Sequence, residues 1–175
     1  MTPHTLPGPV ALRPAGPDAA EFLYRVYAST RYEELAPLNW SPEQVEGFLR
    51  MQFRAQHTYY HEQFPDASYD VILCGDEPAG RLYVLRRSDE LHIVDIALLP
   101  AFRRGGIGTF LLTGLLAEAD AAGVPVRIHV ETVNPARRLY LRLGFVALGG
   151  NGIYDLMERS PTQPMHPATD SVPRA

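Results

Sequence analysis

The sequence predicts a single α/β domain built on a mixed sheet, and three observations lead to this fold class. Two helix-start signals lie in the first third of the chain, three apolar β runs follow between residues 69 and 99, and strand and helix patterns alternate after residue 106. The chain has 175 residues, which is enough to bury one ordinary core. No segment repeats another, so a repeat architecture is not expected.

The helix signals rest on capping chemistry. Asp18 precedes Glu21 at the spacing of a capping box, and Ser41 is followed by Pro42 and Gln44 at positions typical of a helix start. Gly123 marks a helix end. The predicted elements in chain order are a strand at Val10–Arg13, helices after Asp18 and Ser41, strands at Tyr69–Cys74, Ala79–Arg86 and Leu91–Leu99, a helix from Gly106 to Ala122, a strand at Pro125–Glu131, a helix from Asn134 to Gly144, and strands at Phe145–Leu148 and Gly152–Arg159.

The two ends of the chain are rich in proline, threonine and serine and lack periodic apolar positions. We therefore expect flexible tails at residues 1–9 and 160–175, on either side of a folded domain at residues 10–159.

Composition excludes several classes of protein. The net charge of −4 and the pI near 5.8 argue against a nucleic-acid partner. Cys74 is the lone cysteine, so an internal disulfide and a multi-cysteine zinc site are excluded, and no metal is expected. No stretch of 18 apolar residues occurs, and no signal-peptide pattern opens the chain, so we expect a cytoplasmic protein without a membrane partner.

The turn at residues 103–109, Arg-Arg-Gly-Gly-Ile-Gly-Thr, lies between an apolar strand and an amphipathic helix. Glycines allow a ligand to approach the backbone, and the first N–H groups of a helix have no partner within it, so this turn is suited to a pyrophosphate. A Walker A loop requires a lysine, and all sixteen cationic residues are arginine. A dinucleotide fingerprint fails because position 111 is leucine. Taken alone, the turn also fits a glycine-rich loop without a ligand.

Two signatures together give the turn a more specific meaning. Arg103-x-x-Gly106-x-Gly108 resembles the (Gln/Arg)-x-x-Gly-x-(Gly/Ala) signature of the GNAT superfamily of N-acetyltransferases. Residues 134–145, Asn-Pro-Ala-Arg-Arg-Leu-Tyr-Leu-Arg-Leu-Gly-Phe, resemble its second signature, Asn-x-x-Ala-x-x-x-Tyr-x-x-x-Gly-Phe: the alanine, tyrosine, glycine and phenylalanine keep its spacing, and Asn134 lies one position closer to the alanine. The resemblance implies a GNAT-like fold: a central, mostly antiparallel, twisted sheet that is splayed at a coenzyme A site and flanked by about four helices.

The resemblance also implies how acetyl-CoA would be held as the co-substrate. The backbone N–H groups of Arg104, Gly105, Gly106, Ile107, Gly108 and Thr109 would cradle the pyrophosphate, next to Arg103. The backbone of Ile96, Ala97 and Leu98 would pair with the pantetheine arm, and an N–H near Leu98 would polarise the thioester carbonyl.

Four side chains of the second signature have expected roles. Tyr140 matches the tyrosine that protonates the departing thiolate; a packed core tyrosine is the alternative. Asn134 matches a residue that contacts pantetheine or a bridging water, although Asn before Pro is also a good helix cap. Arg137 and Arg138 either reach the phosphates of CoA or simply solvate their helix.

The general base is chosen among acidic residues near the site. Asp95 is the first candidate because it is an acidic residue inside an apolar strand, where burial would suit it to accept a proton. A structural, hydrogen-bonded aspartate is the alternative. Glu131, at the end of the neighbouring predicted strand, is the second candidate, and His92 and His129 come next.

The acceptor is the least defined part of the sequence prediction. We expect its pocket to include Tyr32, Glu33, Glu34, Trp40 and Tyr154. The acceptor itself is expected to be a small-molecule amine or a peptide N-terminus, and the resemblance extends the expectation to a homodimer. An acyl-CoA-binding regulatory module without catalytic activity is the rival hypothesis.

Overall fold

The computed structural model describes residues 6–162, which form a seven-stranded sheet in the order β1-β2-β3-β4-β5-β7-β6 with helices on both faces. The strands are β1 (Val10–Pro14), β2 (Ser68–Cys74), β3 (Glu77–Arg86), β4 (Leu91–Leu98), β5 (Val126–Glu131), β6 (Val146–Gly150) and β7 (Tyr154–Arg159). The helices are α1 (Ala20–Ser29), α2 (Tyr32–Leu35), α3 (Pro42–Gln63), α4 (Ile107–Ala122) and α5 (Arg137–Arg142).

The sheet opens between its two central strands. In the described part of the chain β4 and β5 are the one parallel pair, and their pairing covers only residues 91–93 of β4 and 126–128 of β5. The later halves of both strands diverge, while every other neighbouring pair is antiparallel. The predicted fold class, a mostly antiparallel sheet splayed at one point, is confirmed.

A β-bulge in β4 decides which way its side chains point. Tyr83 pairs with Asp95 and Val84 pairs with Ile93, so Val94 is the extra residue. Ile93 and Ile96 face the core beneath α4, whereas Val94 lies against the core formed with α1 and α3. Strict alternation from Ile93 would have placed Asp95 under α4, and the bulge turns it to the other face.

The helices form two layers with separate cores. One core packs α4 and α5 against the sheet, and the other packs α1 and α3 against the opposite face. Helix α3 begins at the predicted capping box, in which Gln44 N–H donates to Ser41 Oγ and Ser41 N–H donates to Gln44 Oε1. The four-residue helix α2 was not predicted, because its sequence Tyr-Glu-Glu-Leu is too short to show a period.

Contacts extend beyond the predicted domain boundaries at both ends. Leu6 packs against the core beneath α4, and Pro9 O accepts a hydrogen bond of 2.7 Å from Gly75 N–H. Thr162 donates to Asp120 from both its N–H and its hydroxyl. Most of the predicted C-terminal tail, residues 163–175, lies outside the described residues. Across residues 6–162, none of the helices is long and apolar enough to cross a membrane.

Candidate active site

The turn before α4 exposes a row of backbone donors. Gly106 is the N-cap of α4 with a φ of 84°, and Arg104 also has a positive φ of 64°. A positive φ is natural for glycine and costly for most other residues, so position 106 requires its glycine. Among residues 6–162, no acceptor faces the N–H groups of residues 104–109. These donors lie at the positive end of the α4 dipole, where a negative charge is favoured.

The diverging half of β4 offers a second set of free backbone groups. Leu99 N–H donates to Ala79 O at 2.8 Å, so the peptide groups at this position point toward β3. Because hydrogen-bonding direction alternates along an antiparallel pair, the peptide groups of Ile96 and Leu98 point away from β3, toward the opening beside β5. The cleft between β4 and β5 therefore has an unpaired strand edge on one side.

Arg103 stabilises the corner between β4 and α4. Its Nε donates to Leu98 O at 2.9 Å, and its Nη2 donates to Ser29 O at 3.4 Å and to Ser29 Oγ at 3.3 Å. The guanidinium therefore joins the end of β4 to the last residue of α1.

Tyr140 lies on α5, with 4% of its surface exposed, in the core beneath α4. Its ring packs edge-on against Phe145 with the ring centres 5.6 Å apart. Burial, and then the negative charge of Asp95, raise the pKa of the Tyr140 phenol, so the hydroxyl keeps its proton at neutral pH. Asp95 is therefore close enough to Tyr140 for its charge to act on the phenol.

Two further side chains of this segment, Asn134 and Arg137, are already engaged. Asn134 Oδ1 accepts a hydrogen bond of 2.9 Å from Ala136 N–H, so Asn134 caps the turn that leads into α5. This turn delays the helix, which begins at Arg137 rather than at Asn134. Arg137 forms an ion pair with Asp155 of β7. In this geometry its charge is directed at β7.

Asp95 forms an ion pair with Arg81 of β3, and the two side chains are 19% and 4% exposed. The oxygen of this ion pair, Asp95 Oδ2, makes no other polar contact within residues 6–162. Arg81 Nη2 also donates to Gln56 Oε1 on α3 at 2.9 Å. Burial opposes the charge of Arg81, but Asp95, together with Tyr83 and Tyr60, outweighs it and raises the pKa of the guanidinium.

Glu131 lies at the end of β5, on the other side of the cleft. Arg31 Nη2 donates to Glu131 Oε1 at 2.8 Å, and the Tyr154 hydroxyl donates to the same oxygen at 3.3 Å. Arg31 also pairs with Glu34 at 3.0 Å, which connects α2 to β5. His92 and His129 lie where β4 and β5 begin to diverge, with their ring centres 5.6 Å apart, and His129 is exposed.

The residues expected to form the acceptor pocket fall into two groups. Tyr32 and Trp40 line one shallow surface pocket together with Glu43 and Glu46 of α3. Tyr154 instead joins Glu131, and Glu34 joins this second group through Arg31. Glu33 is exposed on α2.

Sequence reasoning missed Arg81 and Arg31, the two arginines that pair with the candidate bases. A weak signal for Arg81 exists, because it is the lone charge in the apolar segment 79–85, as Asp95 is in the segment 91–99. No comparable pattern marks Arg31. Within residues 6–162, no group of three His, Cys, Asp or Glu side chains could hold a metal ion.

The family of this chain is identified by its similarity to known proteins. The family model for the GNAT acetyltransferases matches residues 32–145, which include both signatures. The chain belongs to the GNAT acetyltransferase family. No curated protein shows significant sequence similarity to this GNAT member.

Solved structures share the fold of this GNAT protein at low sequence identity. PH1933 from Pyrococcus horikoshii OT3 has a TM-score of 0.67 at 22% identity, and the match covers 88% of this chain and 99% of that chain. The PaiA N-acetyltransferase from Thermoplasma acidophilum, solved with coenzyme A, has a TM-score of 0.66 at 17% identity, covering 87% and 99%. The ribosomal-protein-S18-alanine N-acetyltransferase from Escherichia coli has a TM-score of 0.62 at 17% identity, covering 95% and 100%.

Proposed function

We propose that the protein is an N-acetyltransferase that takes acetyl-CoA into the cleft between β4 and β5 and transfers the acetyl group to a primary amine by direct attack. The observation that carries the proposal is the opening of these strands next to an unpaired row of helix N–H groups, with the protonated phenol of Tyr140 nearby. A cytoplasmic location is part of the same proposal and rests on the sequence alone.

The backbone fits acetyl-CoA in two places. The N–H groups of residues 104–109 lack acceptors among residues 6–162, and they would hold the pyrophosphate. The free backbone groups of Ile96 and the N–H of Leu98 would pair with pantetheine as an added strand, while Leu98 O accepts from Arg103. Bound acetyl-CoA would supply the activated acetyl thioester. The complex of the PaiA enzyme with coenzyme A supports this assignment.

Proton transfer is the part that side chains carry out. The Tyr140 phenol is protonated at neutral pH, and its hydroxyl would give that proton to the departing thiol. Asp95 and Glu131 remain the candidates for the base that takes a proton from the acceptor ammonium. Because Arg137 forms an ion pair with Asp155, we assign phosphate binding to backbone N–H groups in preference to this arginine.

The acceptor is proposed to be a small-molecule amine or a peptide N-terminus. Three carboxylates, those of Asp95, Glu131 and Glu34, share two arginines, Arg81 and Arg31, and the one negative charge left over favours a cationic amine over an anionic acceptor. An alanine N-terminus is the substrate in the name of the Escherichia coli structure, which supports including peptides.

The decisive experiment is thiol release from acetyl-CoA with a panel of spermidine, kanamycin and tripeptides beginning with alanine or methionine. We expect Tyr140→Phe to lower kcat about 100-fold with the best acceptor, because the leaving thiolate loses its proton donor. The KM for acetyl-CoA should change less than about twofold. Tyr59→Phe, an exposed tyrosine on α3, is the matched control and should keep full activity. A wild-type protein that binds acetyl-CoA but releases no thiol would support the regulatory alternative.

The binding half of the proposal is tested at Gly106. Gly106→Val forces a branched side chain into a positive φ at the start of α4, so the N–H row is displaced and the Kd for CoA should rise at least about tenfold. Gly114→Val, where an added Cβ meets nothing within 4 Å, is the control on the same helix. Calorimetry measures both, and unchanged CoA binding in a folded Gly106→Val protein would exclude the turn as the phosphate site.

A further inference from the structure

The centre of β3 contains a charged residue that the fold does not need for its core. Arg81 is 3% exposed, and its guanidinium lies 5.2 Å from the ring centre of Tyr83 and 6.0 Å from that of Tyr27. A buried ion pair rarely stabilises a protein more than apolar residues of the same size would, because both charges lose their hydration. Stability alone therefore gives no reason for an arginine at this place.

Hydrogen bonding around Arg81 is incomplete. Within residues 6–162, Arg81 Nε and Tyr83 Oη are buried without a hydrogen-bond partner, and Asp95 Oδ2 has only its ion pair with Arg81 Nη2. Arg81 and Tyr83 lie two residues apart on β3, and both pair in register with the segment 95–97 of β4. Each unsatisfied buried group costs about 1–3 kcal/mol. Buried polar groups without partners are rare in native proteins, and a catalytic role is one of the causes that explain them.

The cluster opens toward the cleft through Asp95. Arg81 is enclosed, but the Asp95 side chain keeps 19% of its surface exposed. The β4 bulge at Val94 turns Asp95 to the face of α1 and α3, while the peptide groups of Ile96 and Leu98, next along the strand, face the opening. The carboxylate therefore lies at the border between the enclosed arginine and the space where the acyl donor is proposed to lie.

We propose that Arg81 is a positioning residue for acyl transfer, which fixes the ionised Asp95 carboxylate at the cleft so that Asp95 takes the proton of the acceptor ammonium. This inference rests on the proposed function. The R–NH₃⁺ group gives one proton to Asp95, and the nitrogen lone pair then forms the C–N bond while the C–S bond breaks. The sulfur receives a proton from Tyr140, which regains one as the nitrogen loses its second proton. Asp95 returns its proton to solvent.

A double-mutant cycle tests the inference, using thiol release from acetyl-CoA with the best acceptor of the panel. We expect Asp95→Asn to lower kcat about 100-fold and Arg81→Met about tenfold, with the KM for acetyl-CoA nearly unchanged in both. Arg81→Met added to Asp95→Asn should lower kcat no further, because Arg81 acts through Asp95. Arg81→Lys keeps the charge and should recover most of the activity lost in Arg81→Met.

The control is Arg86→Met on the same strand, whose side chain pairs with Glu118 at the surface, and it should keep full kcat. If Arg81→Met fails to fold, as a melting curve shows, Arg81→Lys and Arg81→Gln take its place in the cycle. The role of Arg81 would be overturned if its neutral variant kept the wild-type kcat. It would also be overturned if the Arg81 substitution lowered kcat as much in the Asp95→Asn protein as in the wild type. Neither result would affect the proposal of acyl transfer. A wild-type protein without thiol release would instead overturn the proposed function and this inference with it.

Discussion

The two strands that border the cleft each present a carboxylate paired with an arginine, yet the two pairs differ in their surroundings. On the β4 side, Asp95 meets an arginine whose side chain is 4% exposed and which aromatic rings enclose. On the β5 side, Glu131 meets Arg31, and both side chains are about one quarter exposed, at 24% and 25%. Arg31 is also shared with Glu34, whose side chain is 56% exposed.

Because the two ion pairs differ in burial, they are suited to different roles. A buried pair cannot exchange its partner for water without a large desolvation cost, so the geometry of Asp95 is fixed. An exposed pair gains little net energy and exchanges easily with solvent or with another cation. The β4 side is therefore suited to hold a reacting group, and the β5 side is suited to admit and orient an amine.

The largest expected difference concerns stability. Asp95→Ala leaves the buried Arg81 charge without its counterion and should lower the free energy of unfolding by about 3 kcal/mol. Glu131→Ala should cost less than about 1 kcal/mol, because its pair is partly solvated. Urea unfolding measures both values, and Arg81→Met combined with Asp95→Ala should recover most of the loss. Equal losses for the two single variants would contradict the comparison.

The next difference concerns substrate affinity. Arg31→Met frees Glu131 for a cationic acceptor and should lower the acceptor KM about threefold, whereas Glu131→Gln should raise it, with kcat nearly unchanged in both. Because these charges are exposed, the effect should shrink at 0.5 M NaCl, where the Debye length is only several ångströms. Steady-state kinetics at low and high salt provide the measurement, with Arg86→Met as the control. An unchanged KM in both variants would remove Glu131 from acceptor binding.

The smallest effect is expected at an ion pair away from the cleft, which serves as a reference. Arg159 and Thr162 hydrogen-bond Asp120 and lower the pKa of its carboxyl from 3.8 to about 2. A lowered folded-state pKa stabilises the fold above pH 3.8, and this stabilisation is lost as the pH falls toward 2. The melting temperature of Asp120→Asn should therefore lie slightly below that of the wild type at pH 6 and coincide with it near pH 2. A difference that persists at pH 2 would show that the carboxyl acts by packing instead of by charge.

Much of the fold could be predicted because its signals are local. The capping box at Ser41, the glycine that ends α4 and the apolar run of β4 each depend on neighbours within a few residues. The turn before α4 could be predicted for the same reason, since Gly106 fixes a backbone shape that its own sequence requires. The extra residue at Val94 could not be predicted, because a bulge is defined by the register of β4 against β3 and no single residue type marks it.

The sequence by itself determined the glycine-rich turn before α4, the helix that carries Tyr140 and the family, because each depends on residue types at fixed spacing along one stretch of chain. Only the tertiary structure decided that Asp95 meets Arg81, that Glu131 meets Arg31, and that β4 and β5 separate after three paired residues. These facts arise between segments far apart in the chain. Strand register, the bulge and the packing of α1 and α3 determine which charges meet and which remain in the cleft, and no local pattern encodes that choice.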